Sequence, residues 1–153
     1  MALSNTVTSQ IQSTLTGTAG LATNTAKVSN SETNVLASAT TLYSASLTIA
    51  ASTPSSIDLS GSLNDPLGDA AVFTSVMDLY IKNTGAGSIT FGGTNSIPLT
   101  ADETDLITIA PGASIHIIDP TGITVTAGSG DLIILTPGAT ETTADLIVIG
   151  SNA

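Results

Sequence analysis

The stretch that decides the fold is Leu106–Gly150, which reads LITIAPGASIHIIDPTGITVTAGSGDLIILTPGATETTADLIVIG. Short runs of β-branched residues alternate with Gly and Pro at close, fairly regular intervals, a rhythm typical of antiparallel strands in a sandwich or barrel. Residues 123–126 alternate strictly between apolar and hydroxyl side chains, as a half-buried strand does. This stretch therefore predicts an all-β protein.

Two runs within the stretch, Leu132–Leu135 and Leu146–Ile149, are apolar at every position. A strand with this pattern has both of its faces covered. We expect the second sheet of the sandwich to cover one face and another subunit to cover the other. Leu146 and Val148 are accordingly predicted to be interface residues.

The strand pattern extends upstream to about residue 36. The longest strand predicted there spans Ala71–Asn83, with Phe73, Met77 and Leu79 among its core-facing residues. The glycine-containing turn at 84–87 predicts a hairpin that brings residues 88–91 back onto this strand. Residues 36–153 are thus predicted to form an antiparallel β-sandwich, jelly-roll-like, with about nine strands.

Residues 1–35 differ from this domain, being rich in Ser, Thr, Asn and Gln. Val7, Ile11 and Leu15 recur every four residues, a spacing that suits a short amphipathic helix, but the many Thr residues around them oppose one. A flexible tail is one interpretation. We favour an N-terminal arm, extended or partly helical, which lays Val7, Ile11 and Leu15 along a neighbouring subunit.

The charge of the chain excludes several classes of partner. Only 9% of the 153 residues are charged, Lys27 and Lys82 are the two cations, and the net charge is −10. Nucleic acids and anionic membranes need clustered Lys and Arg, so neither is an expected partner. A surface of Ser, Thr, Asn and Gly suits a protein held in a fixed assembly, and a secreted or virion-borne protein would show the same bias.

Targeting and redox signals are sparse. The sequence has no cysteine, which excludes disulfides and thiolate metal sites. No basic segment followed by an apolar core opens the chain, so we expect no secretion signal and assembly in a cytoplasm.

Catalytic chemistry is not indicated. His116 is the only histidine, lies within an apolar run, and is accompanied by no Gly-x-Ser-x-Gly motif. A catalytic histidine would need a nucleophile and an orienting carboxylate. We therefore predict a structural or interface histidine, no catalytic residues, no cofactor and no enzymatic activity.

Acidic loops provide the remaining candidates. Asp102, Glu103 and Asp105 are weak Ca²⁺ candidates, and Asp65 with Asp69 invites the same suspicion. Solvated acidic loops are the favoured interpretation. The glycine pairs at 85–87 and 128–130 precede no helix and no Lys, so we interpret both as hairpin turns rather than phosphate sites.

Three pieces of the chain resemble small virion proteins of tailed bacteriophages. They are MALSNTVTSQIQ at 1–12, IDLSGSLNDPLG at 57–68 with VMDLYIK at 76–82, and VTAGSGDL at 125–132 with IVIG at 147–150. The resemblance implies a β domain similar to those that decorate or cement a capsid, often as trimers. The expected partner is then the major capsid protein, and the expected location is the capsid surface of the virion, after assembly in the host cytoplasm.

Two alternatives stay open beside this capsid decoration protein. One is a tail or head-fibre component. The other is a glycan-binding β-sandwich module that uses the loops around Gly92-Gly93 and 102–105, although the absence of Trp makes it a minority interpretation.

Overall fold

The computed structural model describes residues 6–19, 22–99 and 105–152. Within them the secondary structure is entirely β, and every paired strand is antiparallel. The strands are β1 (Thr6–Ala19), β2 (Ala22–Val35), β3 (Thr41–Ile49), β4 (Ser55–Asp58), β5 (Leu63–Asn64), β6 (Ala70–Ala71), β7 (Ser75–Asn83), β8 (Ile89–Phe91), β9 (Ile107–Ile109), β10 (Ser114–Thr124), β11 (Leu132–Pro137) and β12 (Thr142–Ser151). The predicted all-β class is confirmed.

Eight of these strands form two four-stranded sheets, in the orders β10-β7-β12-β3 and β4-β11-β8-β9. Taken in chain order, the first of the eight pairs with the last, the second with the seventh, the third with the sixth and the fourth with the fifth. This is the pairing of a long hairpin rolled into two facing sheets, which defines a jelly roll. The predicted jelly-roll-like sandwich is therefore confirmed.

The turns that look like hairpins in the sequence do not join paired strands. Residues 84–88 connect β7 to β8, and residues 125–131 connect β10 to β11; in both cases the two strands lie in different sheets. β8 pairs with β11 and β9 instead of with β7. The predicted hairpins at 84–87 and 128–130 are wrong, because a jelly roll sends the chain across to the opposite sheet at these turns.

The core lies between the two sheets and is built from aliphatic side chains with Phe73 and Phe91. Leu146 and Val148 on β12 belong to it and are 1% and 0% exposed. Their prediction as interface residues is corrected by this burial. Side chains alternate along a strand, so Ile147, which is 38% exposed, lies on the opposite, outer face.

A β-bulge in β7 changes which residues reach the core. Opposite β12 the register runs from Asp78↔Ile149 to Val76↔Gly150, which leaves Met77 as the extra residue. Val76 therefore faces the sandwich core, whereas Met77 joins a separate apolar cluster with Leu36. The prediction that Met77 faces the sandwich core is wrong for this reason.

Gly150 allows the two strands to approach each other at the bulge. A Cβ at this position would collide with the main-chain oxygen of Ser75. Any larger residue would push β12 away from β7, and glycine is the residue that avoids this.

Residues 6–19 and 22–35 form neither a helix nor an unstructured tail. β1 and β2 pair over their whole length, from Thr6↔Val35 to Ala19↔Ala22, and form a two-stranded arm. At about 3.3 Å per residue, such strands span roughly 45 Å. At its root, Val7 packs against the cluster of Leu36, Ala39 and Met77. The extended form of the predicted arm is the one observed.

Substitutions on neighbouring residues of β12 test the direction of its two faces. We expect Leu146→Ala to lower the free energy of unfolding by about 2–5 kcal/mol, because it leaves a cavity in the core. Ile147→Ala removes a partly exposed side chain and should cost roughly 1 kcal/mol. Urea denaturation of both variants measures the difference, and equal losses would contradict the assignment of faces.

Candidate functional site

The outer face of the β10-β7-β12-β3 sheet gathers the first set of candidate side chains. Tyr80 on β7 lies opposite His116 on β10 and opposite Ile147 on β12. Lys82 lies opposite Ser114 and Asp145 in the same register. A histidine, a tyrosine, a lysine and an exposed isoleucine thus share one surface.

His116 on this face is held by a buried carboxylate. Its Nε2 lies 2.9 Å from Oδ1 of Asp78, and the side chains are 33% and 6% exposed, respectively. The Tyr80 ring meets the imidazole edge-on, with ring centroids 5.7 Å apart. Burial raises the pKa of Asp78 above its ordinary value and outweighs the opposing attraction and hydrogen bond of His116. These contacts fix the imidazole in one place on the sheet.

A pocket of about 280 Å³, here called the Gly92 pocket, is the second candidate site. It is lined by the segment that follows β8, by the start of β9, and by residues near the end of β10. Gly92 and Gly93 have φ angles of +117° and +131°, and a Cβ on Gly92 would lie 2.8 Å from the main-chain oxygen of Asp105. Glycine is therefore required for this close approach. Gly92, Gly93 and Asp105 thus line the same pocket.

Polar groups form part of the lining of this pocket. Its polar lining residues are Asn95, Ser96, Asp105, Thr124, Thr126 and Ser129. The Ser96 hydroxyl is buried and has no hydrogen-bond partner within the described residues. A buried unpaired hydroxyl is costly and is commonly satisfied by water or a bound polar group. The lining therefore combines these polar groups with apolar side chains such as Ile97, Leu99 and Ile107.

Of the three predicted calcium ligands, the structure describes only Asp105. Asp102 and Glu103 lie outside the described residues, and Asp105 contributes one exposed residue to the pocket wall. In residues 6–19, 22–99 and 105–152, no group of three or more His, Cys, Asp or Glu side chains could hold a metal ion.

Two other acidic residues, Asp65 and Asp131, stabilise turns. Oδ1 of Asp65 accepts hydrogen bonds from the main-chain N–H groups of Leu67 and Asp69 at 2.8 and 2.9 Å. Asp131 accepts from the N–H of Gly128 at 2.7 Å and lies 2.8 Å from the Ser60 hydroxyl, and these hydrogen bonds lower its pKa. These carboxylates are thus occupied with the local backbone, as Asx-type turns require.

The arm presents the remaining predicted contact residues. Ile11 is 66% exposed, whereas Val7 is partly buried at the root. Leu15 lies opposite Ala26 in the register, and its side chain is outside what the structure describes. Val7, Ile11 and Leu15 are separated by even numbers, so all three positions belong to the same face of β1.

Comparison with known proteins does not indicate a function for these sites. No family model, no curated protein and no solved structure matches the chain significantly. Among the described residues there is also no helix long and apolar enough to cross a membrane. A jelly roll hosts many unrelated functions, so the fold alone does not indicate which function this chain has.

The raised pKa of Asp78 predicts how the stability of the fold depends on pH. A raised pKa means that folded Asp78 holds its proton more tightly than the unfolded chain does. Its stabilising contribution is present below the ordinary Asp value of 3.8 and is lost as pH rises through the folded value. We expect Asp78→Asn, which cannot ionise, to become more stable relative to the original protein as pH rises from about 3 to about 7. Urea denaturation of both proteins at several pH values in this range tests the prediction. A stability difference between them that stays constant with pH would contradict it.

Proposed function

We propose that this chain is a structural virion protein that decorates a bacteriophage capsid. It binds the outer shell at capsomer junctions after expansion, as a homotrimer, with the major capsid protein as its partner. The observation that carries the proposal is the arm of β1 and β2, two paired strands of 14 residues each with Ile11 66% exposed. An isolated two-stranded hairpin is marginally stable in water, so an arm of this kind gains most from lying on another protein.

The distribution of charge supports a role for the arm in attachment. The arm carries Lys27 and Glu32, which cancel, whereas the rest of the chain holds 11 of the 12 acids and one of the two bases. The arm is thus neutral and the remainder has a net charge of −10. A neutral arm approaches a neighbouring subunit without the repulsion that two acidic bodies experience.

Symmetry turns modest contacts into firm attachment. Each arm offers a small apolar surface, worth little by itself. When several arms of one oligomer bind a shell together, the second and third contacts form within an existing complex and raise the overall affinity strongly. Attachment of this kind would help a shell to resist the internal pressure of packaged DNA.

A single substitution in the full-length chain tests the proposal. Ile11→Asp replaces an exposed apolar side chain of the arm by a charge and should weaken binding to DNA-free shells of the same virus by about tenfold or more, since burial of one Ile is worth about 1.5–3 kcal/mol. Gln12→Asp, an exposed neighbour on the opposite face of β1, is the matched control. Cosedimentation with shells measures occupancy.

The outcomes separate the structural alternatives. Full occupancy by the Ile11→Asp variant would remove the arm as the anchor. A count of only a few copies per virion would favour the tail or head-fibre alternative over a decoration protein.

The Gly92 pocket favours a second candidate function, a glycan-binding module. Here the Asp105 carboxylate and the unpaired Ser96 hydroxyl would bind sugar hydroxyls, while the tight backbone at Gly92 brings the two sides of the pocket together. The pocket has no exposed aromatic platform among its lining residues, since Phe91 is 2% exposed. For this reason the glycan module stands second.

A glycan array, with and without Ca²⁺, measures this second function. If the pocket binds glycans, Asp105→Asn should reduce the signal about tenfold, as expected for a charge-assisted hydrogen bond worth about 1.5–3 kcal/mol. Glu141→Gln removes an exposed carboxylate elsewhere and should leave it unchanged. The absence of any specific signal would eliminate the module.

A further inference from the structure

The two sheets of the sandwich have four edge strands, and three of them are protected. β4 has four residues and β9 has three, so each offers little backbone to a partner. β10 is longer, but its register shifts between Ile118 and Ile123, and Pro120 lies within the irregular part. Short length, irregularity and proline are the usual means by which proteins prevent edge-to-edge pairing.

β3 is the exception. It has nine residues, reads TLYSASLTI, and contains no proline and no charged residue. Its pairing with β12 is regular from Thr41↔Gly150 to Ile49↔Thr142, with no bulge. A long, regular, uncharged edge presents a row of backbone N–H and C=O groups that favours pairing with another strand.

The sequence of β3 is complementary to itself when read antiparallel about Ala45. Ser44 then faces Ser46 of the second strand, and Tyr43 faces Leu47, while Ala45 faces its own equivalent. Hydroxyl pairs and aromatic–aliphatic pairs are both favourable across antiparallel strands. No like charges meet in this register, although the chain as a whole has a net charge of −10.

The core-facing side of β3 is also incompletely covered. Tyr43, Ala45 and Leu47 face the core side of the sheet but stay partly exposed, whereas Leu146 and Val148 on the adjacent β12 are 1% and 0% exposed. A strand added beside β3 would cover this apolar margin. Burial of such surface contributes in addition to the backbone hydrogen bonds.

Room for the end of a second strand exists beside the start of β3. A groove of about 580 Å³ lies between residues 40–42 and the loop of Asp65–Ala70, with the 71%-exposed Leu67 among its lining residues. In the register centred on Ala45, Ile49 of the second strand lies opposite Thr41, next to this groove.

We propose that β3 pairs antiparallel with β3 of a second copy of this chain, centred on Ala45, so that two four-stranded sheets become one sheet of eight. The contact is isologous and has twofold symmetry. It stands independently of the proposed function, and in a virion it would join subunits of neighbouring trimers. A strand from an unrelated protein would lack the self-complementarity of β3.

A cysteine cross-link tests the register directly, because the chain has no cysteine of its own. Directly opposed Cβ atoms in an antiparallel pair lie about 4.5–5.5 Å apart, close enough for a disulfide after small adjustment. Ala45→Cys treated with oxidised glutathione should run mainly as a covalent dimer on a non-reducing gel. Ala86→Cys, in the exposed turn after β7, should stay mainly monomeric. Equal cross-linking of both variants, or none at position 45, would overturn the proposal.

A second pair of variants leaves the core side of β3 untouched. Ser44→Lys/Ser46→Lys places two lysine pairs in direct opposition across the dyad and should weaken self-association at least tenfold in analytical ultracentrifugation, since like charges opposed across strands repel. Ala86→Lys/Ala127→Lys adds the same charge in two exposed turns and should not weaken it. The unaltered protein should associate more strongly at high salt, because screening reduces repulsion between the acidic bodies. A protein that is monomeric or exclusively trimeric at all concentrations would refute the pairing, whatever the result of the shell-binding experiment.

Discussion

The antiparallel ladder formed by β12 is the interaction on which the rest of the structure depends. β12 lies between β3 and β7 and pairs with both, so it connects the beginning of the sandwich to its middle. Its inward residues occupy the core, and its outward residues contribute to the surface that carries His116. The bulge opposite Gly150 then decides which residues of β7 face each side, including the position of Met77 at the root of the arm.

Much of this architecture can be predicted from short-range patterns. β-branched runs and glycine or proline breaks indicate the strands, since a strand needs only a few suitable residues in succession. The bulge is not visible in the same way, because one extra residue in β7 exists only in relation to its partner β12. The arm shows a different ambiguity: a recurrence every four residues is compatible with a helix of 3.6 residues per turn and with a strand of period two.

The two candidate sites also differ in how far short-range sequence patterns predict them. The Gly92 pocket combines residues that the sequence already singles out, because Gly92-Gly93 and Asp105 belong to the two ends of one connection, that between β8 and β9. The partner of His116 could not be found in this way. Asp78 is 38 positions away in the sequence, and only the pairing of β7 with β10 places the carboxylate beside the imidazole. A carboxylate directly between the apolar residues Met77 and Leu79 was the one available signal, since such a residue is rarely buried without a partner.

The pairing of the first sandwich strand with the last has a consequence for biosynthesis. A ribosome releases β3 well before it has made β12, so the early strand waits while most of the chain is translated. Contacts between residues so distant in sequence form slowly. A nascent chain therefore exposes its aggregation-prone segments for longer. Because β3 carries no charge, unpaired β3 segments are prone to associate with other chains during this interval.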